Sequence, residues 1–218
     1  MRALMVVPCQ SSRALSALAV HRTNPMHATM HAMPCLESTE LADTGMVLRP
    51  WRHDYAAAMH DAVRESMGSL NAWLPWCHAE YGLADAQARI EVCRAHWRRG
   101  ELFSFAIQDA EGRLLGSVGL SQLNRLHRSA NAGYWVRASA QGQGLAARAL
   151  VLVARFGFER LGLIRVEIVA EPGNLASRRT AERAGARFEV IARNRIWSRD
   201  RPTDAAVYSL VPDDLTPP

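Results

Sequence analysis

Six residues, Gln141-Gly142-Gln143-Gly144-Leu145-Ala146, constrain the fold of this chain more than any other stretch. An apolar run, Gly133-Tyr134-Trp135-Val136, precedes them, and an amphipathic run from Ala147 to Leu161 follows. The pattern reads as strand, glycine-rich turn, helix. Such a turn aims several backbone N–H groups and the positive end of a helix dipole at one spot, which suits an anion such as phosphate. Glycine lets the anion approach the backbone closely. The same residues also fit a tight turn that merely opens a helix. Two other phosphate motifs are excluded. The dinucleotide fingerprint needs a third glycine where Ala147 stands, and it sits early in a strand–helix–strand unit. A Walker-type loop needs a lysine, and the chain contains none.

The loop also fills the pattern Gln/Arg-x-x-Gly-x-Gly/Ala, with Gln141, Gly144 and Ala146 at the defined positions. A second segment is Asn174-Leu175-Ala176-Ser177, followed by Ala184-Gly185-Ala186-Arg187-Phe188. On the loop the chain resembles the GNAT superfamily of N-acetyltransferases, in which this loop holds the pyrophosphate of acetyl-coenzyme A. On the second segment it resembles the RimJ/RimL-type branch, which acetylates the N-termini of ribosomal proteins. The resemblance covers residues from about Met46 to Leu215. It implies acetyl-CoA as co-substrate, with no metal, bound by Gln141, Gly142, Gln143, Gly144, Leu145 and Ala146. It further implies that the strands before and after the loop splay apart. The edge opened at Tyr134, Trp135, Val136 and Arg137 would then pair with the pantetheine amides as a missing strand would.

Hydrophobic residues make up 49% of the 218 and charged residues 22%, which allows a sizeable core. No run of 18 apolar residues is present, so no membrane partner is expected. Cys9, Cys35, Cys77 and Cys93 are scattered without a Cys-x-x-Cys, which suits free thiols in a reducing compartment and a cytoplasmic location. The net charge of +5 comes entirely from arginine against acid, and the arginines are spread along the chain. A nucleic-acid binder would cluster them beside aromatics, so no nucleic-acid partner is expected. The charge reads as a solvated surface or as weak attraction to acidic partners.

Residues 1–43 read as a disordered leader, and 44–218 as the acetyltransferase domain. The leader is rich in methionine and is broken by Pro8, Pro25 and Pro34. His27, His31 and Cys35 have helical ligand spacing, but Pro34 interrupts the helix and no fourth ligand is evident. Beyond it, Met46–Trp51 reads as a first strand, and Asp54 as the N-cap of a helix over Tyr55–Ser66. Asp85 reads as the cap of a second helix, Ala86–Arg99, ended by Gly100. Strands follow at Leu102–Gln108, Arg113–Leu123 and Arg128–Val136. After the loop helix come a β-branched strand, Leu163–Ala170, a helix capped by Asn174, and a closing hairpin over Phe188–Trp197 and Asp204–Leu210. The order β-α-α-β-β-β-α-β-α-β-β implies an α/β fold with one mixed sheet and helices on both faces. The resemblance makes that sheet mostly antiparallel.

Amide formation from a thioester needs the thioester held, a neutral amine, and a departing thiolate that is stabilised or protonated. Asn174 is suited to bond the pantetheine arm, and Ser177, one helical turn on, to donate its hydroxyl near the sulfur as the catalytic group. Alternatively Asn174 is a plain N-cap and Ser177 a solvated hydroxyl. Trp73-Leu74-Pro75-Trp76 offers Trp73 and Trp76 either as walls of an acceptor pocket or as a clamp of a loop on the core. The general base stays unassigned. Some relatives place a glutamate near positions 195–197, where this chain has Arg195, Ile196 and Trp197. Glu167, Glu80, Glu101 and Tyr208 are the other candidates. The expected acceptor is a protein N-terminal amine, with a small amine such as a drug or polyamine as the rival. A non-catalytic CoA-binding module is the alternative of a different class. Monomer and homodimer are both compatible with these readings.

Overall fold

The computed structural model describes residues 39–215. Most of the expected leader, with His27, His31 and Cys35, lies outside the described residues.

Among the described residues eight strands form one sheet, ordered β1-β2-β3-β4-β5-β6-β8-β7. They are β1 Leu41–Asp43, β2 Met46–Pro50, β3 Phe103–Gln108, β4 Leu114–Asn124, β5 Ser129–Val136, β6 Arg165–Ala170, β7 Arg187–Ser198 and β8 Arg201–Leu210. Five α-helices of the described residues accompany them: α1 Ala56–Glu65, the short α2 Met67–Leu70, α3 Leu83–Arg99, α4 Leu145–Arg160 and α5 Leu175–Arg183. All neighbouring strands are antiparallel except β5 and β6, whose parallel pairing requires the α4 crossover between them.

Alternation along β3 assigns the two faces of the sheet. Phe103, Phe105 and Ile107 pack with Leu150, Val153, Ala154 and Phe156 of α4. Ala106, facing the other way, packs with Met59, Ala62 and Val63 of α1 and Ile90 and Cys93 of α3. Burial of each large apolar side chain contributes about 1.5–3 kcal/mol. α4 lies close on its face because Gly157 has no side chain; a Cβ there would stand 2.9 Å from a Leu120 methyl.

Three of the boundaries that differ from expectation do so for a local reason. The expected domain start at residue 44 falls inside a hairpin, since β1 pairs with β2 through Asp43↔Met46. Asp43 also bonds Arg148 of α4 at 2.6 Å, and Glu40 bonds Arg49 at 2.7 Å. Asp54 does not cap α1. Its carboxylate is taken by Arg52, and a 3-10 turn, His53–Tyr55, leads into the helix instead. α3 begins at Leu83 rather than Ala86, because Asp85 is its third residue and reaches back to the Gly82 N–H at 2.8 Å.

Candidate active site

β5 and β6 pair at three positions only: Ser129↔Arg165, Ala130↔Val166 and Asn131↔Glu167. Beyond Asn131, β5 keeps β4 on one side, through Tyr134↔Val118 and Val136↔Gly116, and among the described residues has no strand on the other. β6 meanwhile continues to Ala170 alongside β8. The two strands therefore part. A cleft of about 630 Å³ opens between them, lined on one side by Gly133–Val136 and on the other by Ile168–Glu171.

The glycine-rich loop closes one end of this cleft. Gly142 and Gly144 have φ of 78° and 73°, a left-handed conformation that glycine adopts without strain. Gly144 is the N-cap of α4, where no side chain caps the helix and no acid lies in the first turn. The N–H groups of that turn have no intrahelical partner by construction. Gly142, Gly144, Leu145 and Ala146 line the cleft, whereas Gln143 does not. Gln141 lines it too, and its amide donates to the Val136 carbonyl at 3.1 Å, fixing the loop to the strand it leaves.

Trp135 and Val136 line the cleft, but the Arg137 side chain turns away from it. It ion-pairs with Glu65 at the end of α1 and donates to the Leu114 carbonyl at 2.9 Å. Glu65 also accepts from the Ser139 N–H at 2.8 Å, and Ser66 accepts from the Ala138 N–H at 2.9 Å. The Arg137 guanidinium, followed by Ser139, lowers the Glu65 carboxyl to about 2. The end of α1 is thus bonded to the segment connecting β5 with the loop. Sequence reading missed this clamp, because its partners lie 72 or more residues apart.

Asn174 and Ser177 meet at the start of α5. The Asn174 side chain caps the helix by accepting from the Ser177 N–H at 3.1 Å, and both residues line the cleft. The Tyr134 hydroxyl donates to the Ser177 carbonyl at 2.8 Å and lies 3.2 Å from Ser177 Oγ. The tyrosine's single proton is engaged by the carbonyl, so the serine hydroxyl is the donor across the second contact. Burial pushes the Tyr134 phenol up to about 12, so it stays protonated.

The two tryptophans separate. Trp73, 36% exposed, lines the cleft, and its ring lies 3.8 Å from where a Cβ on Gly173 would stand. Trp76 is not among the lining residues. It packs on Tyr81 and on Trp135, with ring centroids 5.9 and 6.2 Å away, under the Arg89 guanidinium. None of the expected base candidates lines the cleft. Glu167 is bound by Arg165 and Arg195, and Glu101 by Arg99 and His96. Tyr208 accepts from Arg178 and donates to Glu182. Among the described residues no group of three or more potential metal ligands comes together.

These features can be set beside known proteins. Residues 46–187 match the family model described as an acetyltransferase (GNAT) domain. The Bacillus subtilis protein named "Putative ribosomal N-acetyltransferase YdaF" is 35% identical over 159 residues, which are 72% of this chain and 85% of that one. Among solved structures, "a putative ribosomal-protein-serine acetyltransferase from Vibrio cholerae" superposes with a TM-score of 0.72 at 29% identity, covering 81% of this chain and 99% of that one. Mycobacterium smegmatis RimJ, in complex with CoA-disulfide, has the same fold, with a TM-score of 0.71 at 24% identity over 81% of this chain and 88% of its own. The parted strands, the left-handed glycine loop and the family match lead to one conclusion: this chain belongs to the GNAT family of N-acetyltransferases.

Proposed function

We propose that the cleft binds acetyl-CoA and passes its acetyl group to the N-terminal amine of a protein. The observation that carries the reading is the continuity of the open β5 edge with the glycine loop. One extended ligand can pair its amides with Tyr134–Val136 while its pyrophosphate sits on the N–H groups of Gly142–Ala146. Arg179 and Arg183 of α5 line the same cleft and favour a polyanion there.

Asn174 and Ser177 then stand where the thioester lies. The deprotonated amine attacks the carbonyl carbon, the C–N bond forms, and the C–S bond breaks with its electron pair on sulfur. Ser177 passes a proton to that thiolate and recovers one from the amine nitrogen, so free CoA thiol and the amide leave together. Tyr134 accepts from the serine hydroxyl at rest and holds it until it turns toward the sulfur. The ribosomal-protein acetyltransferase names among the relatives support a protein N-terminus as acceptor.

Two measurements test this. Gly144→Glu places a carboxylate at the anion position and a side chain at a left-handed φ, and should weaken acetyl-CoA binding on the order of a hundredfold by calorimetry. Undiminished affinity would put the ligand elsewhere. Peptides with free and with blocked N-termini should then be offered together with acetyl-CoA and followed by mass spectrometry. Only the free-ended peptides should gain an acetyl group. Efficient acetylation of a polyamine, with the peptides untouched, would make the acceptor a small amine.

A further inference from the structure

Glu171 is the one carboxylate among the described residues lining the cleft. It follows the last residue of β6 and stands at the opposite lip from the open β5 edge. Its backbone carbonyl accepts from the Asn174 N–H at 2.9 Å, so the turn that presents Asn174 also presents this acid. Its side chain is 16% exposed. Oε1 accepts from the Ser198 hydroxyl at 2.6 Å, while the other oxygen has Arg199 no nearer than 3.8 Å. Arg199 also donates to the Ala72 carbonyl at 2.7 Å and lies over the Trp73 ring. Ser198 therefore holds one oxygen by a short bond, and the other carries the longer ion pair with Arg199. Trp73 and Trp197 line the same cleft, the latter 53% exposed.

The loop end of the cleft offers N–H groups and arginines, which suit an anion. The Glu171 end offers a carboxylate held by Ser198, which suits a cation. We infer that Glu171 is the acceptor subsite: it receives the amine as an ammonium group and holds it beside the acetyl-binding position until one ammonium proton passes to solvent and the neutral amine attacks, with Ser198 fixing the rotamer. The substrate class follows from the charge. The reactive end of the acceptor is cationic, with no carboxylate close to its amine. This inference rests on the acetyl-transfer reading of the cleft.

The experiment uses the full chain with acetyl-CoA and two probes, a free-ended alanyl hexapeptide and spermidine. Glu171→Gln keeps the shape and the bond with Ser198 but removes the charge. The KM for whichever probe the wild type acetylates should rise roughly tenfold or more, with the acetyl-CoA dissociation constant within about twofold of wild type by calorimetry. Ser198→Ala should raise the same KM by a smaller factor, since the charge remains. An unchanged amine KM in Glu171→Gln overturns the inference while leaving the acetyl-transfer reading intact. Equal losses for amine and acetyl-CoA also overturn it, since the residue would then be organising the Asn174 turn. A wild type that neither binds acetyl-CoA nor acetylates either probe removes the underlying reading, and the inference with it. The calorimetry tells these failures apart.

Discussion

Ser177 carries the chemistry proposed here, and its surroundings determine what losing it should do. Its N–H is tied to Asn174 and its carbonyl to Tyr134, both through the backbone. Ser177→Ala therefore keeps the helix start and removes only the hydroxyl. The turnover number should fall by about 10- to 100-fold, with acetyl-CoA affinity nearly unchanged. A variant as fast as wild type would mean that the thiolate takes its proton from water. Asn174 and Ser177 were legible in the sequence because their spacing is local, three residues along one helical turn. Glu171 was not. A glutamate in a Glu-Pro-Gly turn has no periodicity to mark it, and the serine that orients it comes 27 residues later. Trp76 was legible as a costly exposed aromatic, but the face its ring would choose depended on Trp135, a residue of a distant strand.

The order of elements was readable because most strands and helices carry a clear period. β1 escaped, being three residues long with two of them exposed. α2 is a single turn and left no pattern to find. The acid at the third position of α3 looked like a cap because a capping box also sets a carboxylate on a free N–H at the helix start, here that of Gly82. The parting of β5 and β6 has no signature in either strand's own sequence and came from the resemblance alone. One residue of β4 does bear on it. Gly116 lies against the β5 backbone, where a Cβ would stand 2.2 Å from the Trp135 carbonyl oxygen. Gly116→Ala must push β5 toward the cleft or twist β4. A cost of about 1–3 kcal/mol is expected, seen as a fall of roughly 2–12 °C in Tm, with weaker acetyl-CoA binding. A full-affinity variant would show that the strand edge is not used.

At the scale of the whole molecule, acid should loosen it through named carboxylates. Glu65 and Glu189 are both lowered from 4.5 to about 2, the first by Arg137 and the second by Arg165. A lowered folded-state pKa contributes stability that is fully present above the unfolded value and lost as pH falls through the folded one. Tm should thus hold down to about pH 5 and decline between about pH 4.5 and 2, and Glu65→Gln should flatten that decline. A decline of the same steepness in the variant would assign it to other groups. The sheet itself is joined unevenly. On one side lie five strands and on the other three, and between β5 and β6 only three residue pairs hold the two blocks edge to edge. Such a seam is the natural place for slow breathing, with the α4 crossover acting as a strap across it. An extended ligand seated along β5 would lengthen the seam by its own hydrogen bonds. Deuterium uptake at amides 132–136 and 168–170 should then slow by an order of magnitude or more at saturating acetyl-CoA, while uptake in the β7–β8 hairpin stays as it was. Uniform slowing everywhere would mean that the ligand stabilises the molecule without bridging its two blocks. The co-substrate of this enzyme would in that sense also be its mortar.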